Sequence, residues 1–227
     1  MEQTILDSLQ NLQFTKEEEE DIQITNQSRP DILEECALSL FGKLQVNRQP
    51  NQRAFKSTLR SVWKMGSDLR IIEVGNGILQ FKFKSQYQME WVEKNGPWNF
   101  DNNLLLLRQW NKGLTAENME FTHSPFWVQI WGLPFEHMSE DTGKDIGSRL
   151  GRYVETDTRS WHFDQAKFMR VRVELMVDKP LRRGGYITSP DDTRMWVTFK
   201  YERLLVICFY YGRIGHDARH CAVPIDA

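Results

Sequence analysis

Cysteine is scarce. The 227 residues contain three, an odd number too small for a disulfide framework, which fits a reducing compartment. No apolar run approaches the roughly 20 residues that a membrane span requires. The start, Met1-Glu2-Gln3-Thr4, has no basic-then-apolar leader. Membrane spanning and secretion are therefore not expected, and the expected location is nucleus or cytoplasm. Neither a phosphate-cradling glycine loop nor a paired-carboxylate constellation is visible, so no enzyme and no small-molecule substrate are expected. Net charge is nearly absent as well: 29 Lys+Arg against 31 Asp+Glu leave −2, which taken alone argues against a polyanionic partner.

That small charge is an average over two unlike parts. Residues 1–35 hold ten acids and two bases, a balance of −8, so residues 36–227 carry 27 bases and 21 acids, a balance of +6. The acidic stretch, taken as 1–33, reads as a solvated arm. Alternatively, a short helix begins near Thr15, whose hydroxyl would cap it ahead of Glu17 to Glu20. The body is moderately basic.

Along the body the hydrophobic period changes in a readable order. Cys36 to Leu44 is short and apolar and predicts a strand, with Cys36 a core thiol. Asn51 to Lys64 places Phe55, Leu59, Val62 and Trp63 at helical spacing, with Arg53, Lys56, Arg60 and Lys64 along the other, solvated side. Leu69 to Val74 and Ile78 to Phe83 flank Gly75-Asn76-Gly77, a hairpin signature. Tyr87 to Lys94 predicts a helix stopped by Asn95-Gly96-Pro97, and Leu104 to Trp110 a buried strand. The order β-α-β-β-α-β over 34–112 is that of the split βαβ (ferredoxin-like) plait shared by RNA-recognition domains. After a polar connection, 123–205 predicts a second, partial α/β plait. Phe126 to Trp131 alternates, Ser139 caps a helix that Gly151 stops, and Phe168 to Val177 and Arg194 to Tyr201 alternate. Lys179 to Asp192 reads as a basic loop between them. The fold class is α+β, ending in a small segment at 206–223.

That last segment carries the chemistry. Cys208, His216 and Cys221 fall on three ligand positions of the zinc-knuckle pattern C-x2-C-x4-H-x4-C, with Gly212 and Gly215 where a tight metal-binding loop needs them. Tyr211 stands at the second ligand position, and a phenol is a poor substitute for a thiolate around zinc. Three readings stay open: a knuckle that has lost tight zinc binding, weak zinc binding completed by water or His220, and chance spacing. Cys–His hydrolysis lacks a positioned partner.

The run from Glu34 to Cys221 resembles the plant domain-of-unknown-function 4283 family with its C-terminal CCHC zinc knuckle. The likeness rests on EECALSLFGKL, FKSTLRSVWK, IEVGNGILQFKF, NGPWNFDNNLLLLRQW, PFWVQIWGLP, FMRVRVELMVDKPLRRG and FKYERL, in the family's order. The resemblance implies nucleic-acid and zinc-ion binding without catalysis, and descent from plant non-LTR retrotransposons.

The residues themselves say where a nucleic acid would lie. In the first plait the positions that stack bases in RNA-recognition domains hold Ile78 and Gln80, and in the second Gln129, so aromatic stacking of that kind is not expected. On the second sheet, Arg170 and Arg172 are expected to face outward beside Arg194, Trp196 and Lys200, next to a loop with Arg182 and Arg183. Phe209, Tyr210, Arg213 and Arg219 extend this basic and aromatic set into the knuckle. The expected partner is RNA or single-stranded DNA at low sequence specificity. The alternative is an assembly module that associates with copies of itself or with another protein.

Overall fold

A computed structural model describes residues 18, 20–24, 29–46, 50–162, 167–205, 207–208 and 211–214. The chain divides into two units, 1–33 and 34–227. In the first, Arg29 pairs with Asp31 at 3.7 Å, and Ile22 and Ile24 are exposed. Helix α1 (Pro30–Ala37) takes the place of the start of the strand expected over 36–44, and strand β1 begins only at Ser39 (Ser39–Leu44). Cys36 therefore lies on a helix, half-buried, and is not a core thiol. The Ser39 hydroxyl donates to the carbonyl of Glu35 at this junction (2.7 Å).

Helix α2 (Gln52–Val62) starts where Asn51 Oδ1 accepts from the backbone N–H groups of Arg53 and Ala54, an N-cap that satisfies otherwise orphaned donors. Strands β2 (Arg70–Gly75) and β3 (Ile78–Lys82) meet at a tight turn in which Asn76 and Gly77 both have positive φ. Helix α3 (Gln86–Lys94) is capped by Ser85. A short hairpin follows, β4 (Trp98–Phe100) and β5 (Asn103–Gln109), turned by Asp101 and Asn102 at positive φ. The sheet order is β2-β3-β1-β5-β4, the plait order with β4 added at one edge. Phe55, Leu59 and Trp63 from α2 and its end, with Met89 and Val92 from α3, pack on Leu40, Leu79, Phe81 and Leu105 of one sheet face.

The opposite face of this sheet is also covered. Met119, from the polar connection, closes over Phe41 and Ile78, and Leu104 and Leu106 join the core of the second sheet beside Phe126 and Ile214. The Arg108 guanidinium donates to the Glu120 carbonyl across the same connection (3.1 Å). The absence of stacking aromatics at Ile78 and Gln80 thus has a structural counterpart: that face is a packing surface.

The second sheet comprises β6 (His123–Trp131), β7 (Arg152–Thr156), β8 (Phe168–Met176), β9 (Gly184–Thr188) and β10 (Arg194–Tyr201), in the order β7-β8-β6-β10-β9. Its first four positions repeat the plait order, with β6 and β8 central. Helix α4 (Glu140–Leu150), capped by Ser139 Oγ accepting from Thr142 N–H, packs on β7 and β8; a one-turn helix α5 (Arg159–His162) precedes β8. Among the described residues no helix follows β8, and a groove of about 730 Å³ beside α4, lined by Ile146, Ile187 and Phe199, occupies the place of a plait's second helix. The plait is partial. The loop expected over 179–192 contains β9, whose Gly184 and Gly185 weaken the strand signal.

Candidate nucleic-acid interface

Strand alternation builds the outer face of the second sheet. Phe126, Val128 and Ile130 on β6, Met169, Val171 and Val173 on β8, and Val197 and Phe199 on β10 are buried on the helix side. Their neighbours point the other way, and the register sets them in rows. Arg172 lies opposite Trp127; Arg170, Gln129 and Lys200 form the next row; Phe168, Trp131 and Thr198 the next; Trp196 then pairs with Tyr186 on β9.

Three rings on this face each carry a cation. The Arg170 guanidinium lies 3.9 Å from the Trp127 ring centroid, Lys200 Nζ 4.0 Å from Trp131, and the Arg194 guanidinium 3.9 Å from Tyr186. Two aromatic pairs complete the surface: Trp131 with Phe168 and, edge to face, Trp196 with Tyr186, both at 5.0 Å. Trp196 is 45% and Tyr186 60% exposed, large for aromatic side chains. Trp196 lies across Gly184, where an added Cβ would come within 2.4 Å of its ring, so glycine is what lets the indole sit there. Neighbouring rings and cations on one open sheet face match the requirements of a single-stranded track, since rings stack on bases and cations attract phosphates.

Two of the arginines expected on that track are otherwise engaged. Arg172 is only 5% exposed; it donates to the Glu93 carbonyl at the end of α3 (2.8 Å) and faces Glu155 at 3.4 Å. Arg170 forms a two-pronged pair with Glu202 (2.9 and 2.8 Å) and a further bond to Asp157 (3.0 Å). Both stand on the outer side of the sheet, as expected, but their guanidinium groups are already paired within the protein. The cause is the end of α3 packed against this part of the sheet, together with the carboxylates beside it. Arg194 and Lys200 are exposed, as are Arg182 and Arg183, and Arg182 borders the groove beside Arg149 and Leu150. The Tyr201 hydroxyl anchors this loop by donating to the Arg182 carbonyl (2.6 Å), and burial pushes its pKa up to about 12.

Burial disfavours the charged forms of Glu202 and Asp157. Hydrogen bonds and charge from Arg170, joined by Gln129 at Glu202 and by Arg159 at Asp157, outweigh it and hold both below the ordinary carboxylate values of 4.5 and 3.8. A depressed folded-state pKa gives stability that is present above the ordinary value and lost as pH falls through the folded one. The urea midpoint is expected to fall as pH drops from about 5 to about 3, and Glu202→Gln should flatten that fall. Equal slopes for both proteins would show that Glu202 contributes nothing.

The knuckle's first turn is attached to the core of the second sheet. Ile207 bridges Ile214, Cys208 N–H donates to the Arg213 carbonyl (2.8 Å), and Gly212, at φ +67°, donates back to Cys208 (2.6 Å). Leu181 N–H reaches the Gly212 carbonyl (2.8 Å), and Cys208 and Ile214 are buried. Arg213 is exposed and Tyr211 half-buried. The expected site residues Phe209, Tyr210, His216, Arg219, His220 and Cys221 lie outside the described residues. Among the described residues no group of three metal-binding side chains occurs. With Tyr211 at the second position, the four positions of the knuckle pattern supply only three nitrogen or sulfur ligands, and a closed structural zinc site needs a fourth from elsewhere, such as His220.

Trp127, Trp131, Phe168 and Tyr186 are the members of this surface that sequence reasoning passed over. The signal for two of them was present, because alternation puts Trp127 and Trp131 on one face of Phe126 to Trp131.

The fold places the chain among α+β proteins built on RNA-recognition-like plaits. Within that class, residues 32–118 match the DUF4283 family, a domain of unknown function, and residues 175–223 match a zinc knuckle family. An uncharacterized Arabidopsis thaliana protein is 28% identical over 130 residues, which are 57% of this chain and 41% of that relative, so the chain spans less than half its length. Similar solved structures are the three N-terminal RNA-binding domains of the yeast splicing factor Prp24 (14% identity, TM-score 0.27, 61% of this chain and 55% of that one). Another is Sex-lethal RNA recognition domains 1 and 2 from Drosophila melanogaster (15% identity, TM-score 0.26, 60% and 85%). Among the described residues no helix is long and apolar enough to cross a membrane.

Proposed function

We infer that this chain is a non-enzymatic nucleic-acid-binding protein that holds single-stranded RNA or DNA on the outer face of its second sheet, with low sequence specificity. The observation that carries this reading is the open run of cation-bearing rings from Trp127 through Trp131 to Tyr186. Lys200 and Arg194 attract phosphates, Trp131 and Trp196 stack on bases, and Arg183 and Arg213 widen the basic field. The zinc-knuckle match and the domains found among similar structures agree with it. The division into 1–33, 34–112, 123–205 and 206–223, plant retrotransposon descent and location in nucleus or cytoplasm belong to the same reading. So does a knuckle that holds zinc weakly or not at all.

Binding of a fluorescent oligouridylate, measured by anisotropy over a range of salt, tests it. About three engaged cations predict a log–log salt slope near −2, from roughly −0.7 per phosphate neutralised on a single strand. Absence of salt-dependent binding to both RNA and single-stranded DNA would remove the reading. Oligomers seen by light scattering without nucleic acid would then favour an assembly module.

A further inference from the structure

One end of the outer face is walled. Residues 94–97, at the end of α3, stand against the row of Arg172 and Trp127, and between them lies a cleft of about 530 Å³. Lys94, Arg159, Arg170, Arg172 and Arg203 border it, against the carboxylates Glu155, Asp157 and Glu202. Asp157 and Glu202 are committed to Arg170, and Asp157 also accepts from Arg159 (3.1 Å). Lys94 is held by Glu90 of its own helix (3.2 Å). With Lys94 held by Glu90 and Arg172 facing Glu155, four arginines against three carboxylates leave an excess of one positive charge, on Arg203, whose guanidinium also donates to the Asn95 carbonyl of the wall.

Arg172 is the telling group. Its Nε is buried and has no hydrogen-bond partner among the described residues, and the Glu155 carboxylate that faces it at 3.4 Å is half exposed. A guanidinium short of one acceptor has its charge incompletely compensated, and an anion in the cleft adds to that compensation through the local field, without contact to the buried Nε. Trp127 supplies the wall with a ring, already covered on one side by Arg170.

A strand lying over Trp196, Trp131 and Trp127 runs into this wall and must stop there. A strand's end differs from its interior in chemistry: a terminal phosphate monoester carries close to two negative charges and three acceptor oxygens, an internal diester only one charge. We propose that the cleft receives the terminal phosphate monoester of the strand held on the outer face, an assignment that rests on the nucleic-acid reading above. The protein would thereby distinguish phosphorylated ends from hydroxyl ends.

The test compares three otherwise identical short oligouridylates, ending in 5′-phosphate, 3′-phosphate or hydroxyls only, by anisotropy at fixed ionic strength. One phosphorylated form is expected to bind about tenfold or more tightly than the hydroxyl form, the equivalent of about 1.4 kcal/mol. In Arg203→Gln that ratio should fall to about one, whereas Lys56→Gln on α2, an equal loss of charge elsewhere, should preserve it. Equal binding of all three by the native chain overturns the cleft assignment and leaves the sheet-face reading standing. Failure to bind any of them overturns both. A ratio that survives in Arg203→Gln also overturns the assignment.

Discussion

Replacing Trp131 and Trp196 together by alanine is expected to weaken single-strand binding by about 2–6 kcal/mol, between one and four powers of ten. Each ring offers a stacking platform worth about 1–3 kcal/mol per base by alanine substitution. Both stand on the outer face, Trp131 beneath Lys200 and Trp196 against Tyr186, and neither belongs to a core cluster. The loss should therefore appear in anisotropy titrations while circular dichroism and the urea midpoint change little. Trp196→Phe keeps a ring over Gly184 and should retain most of the affinity. Lys43→Gln, exposed on the covered first sheet, should change binding only by a general charge effect. Unchanged affinity in the double variant would move the binding surface elsewhere on the protein.

Tyr211→Cys is expected to convert the knuckle into a stoichiometric zinc site, with about one zinc per chain by native mass spectrometry and a substoichiometric amount in the natural sequence. The argument is one of donor chemistry. The substitution restores the fourth thiolate or imidazole position of the set formed by Cys208, His216 and Cys221. Structural zinc contributes about 10–16 kcal/mol of apparent binding energy in small knuckle-like peptides, and a missing thiolate removes much of it. The backbone around Cys208 is already in place, because Gly212 and Arg213 close the turn by main-chain hydrogen bonds. The variant should also gain thermal stability that a chelator takes away. Equal, stoichiometric zinc in both proteins would show that another group completes the site and that Tyr211 is immaterial.

The local elements were legible wherever one short-range rule dominates. Asn76-Gly77 demands positive φ, Ser139 offers a cap, and the alternation from Phe126 to Trp131 fixes two faces. The β4–β5 hairpin was missed because β4 is three residues long, too short for a period to show. The main error was about neighbours. Alternation says that Arg172 points away from Val171 and Val173; it does not say that the end of α3 lies there to receive it. In the same way, Trp127 and Trp131 were assigned to a face, but their importance depends on β6 being central, a property of strand order. The covered face of the first sheet was half legible, through the missing aromatics. Its cover, Met119, sits in a stretch whose composition reads as a polar connection.

The arginines that reach from the second sheet to the end of α3 have a consequence for how this chain can be divided. Arg172 donates to the carbonyl of Glu93 and Arg203 to that of Asn95, so the last turn of one plait's helix is terminated by side chains encoded some eighty to a hundred residues later. A helix end ordinarily finds its partners locally or in water. A fragment stopping near residue 112 would lose those donors, uncover Leu104 and Leu106, and leave Phe41 and Ile78 without Met119. Such a piece would present the broad apolar surface that drives aggregation. The two sheets therefore depend on one shared packing surface, and a chain cut between them loses a folding partner.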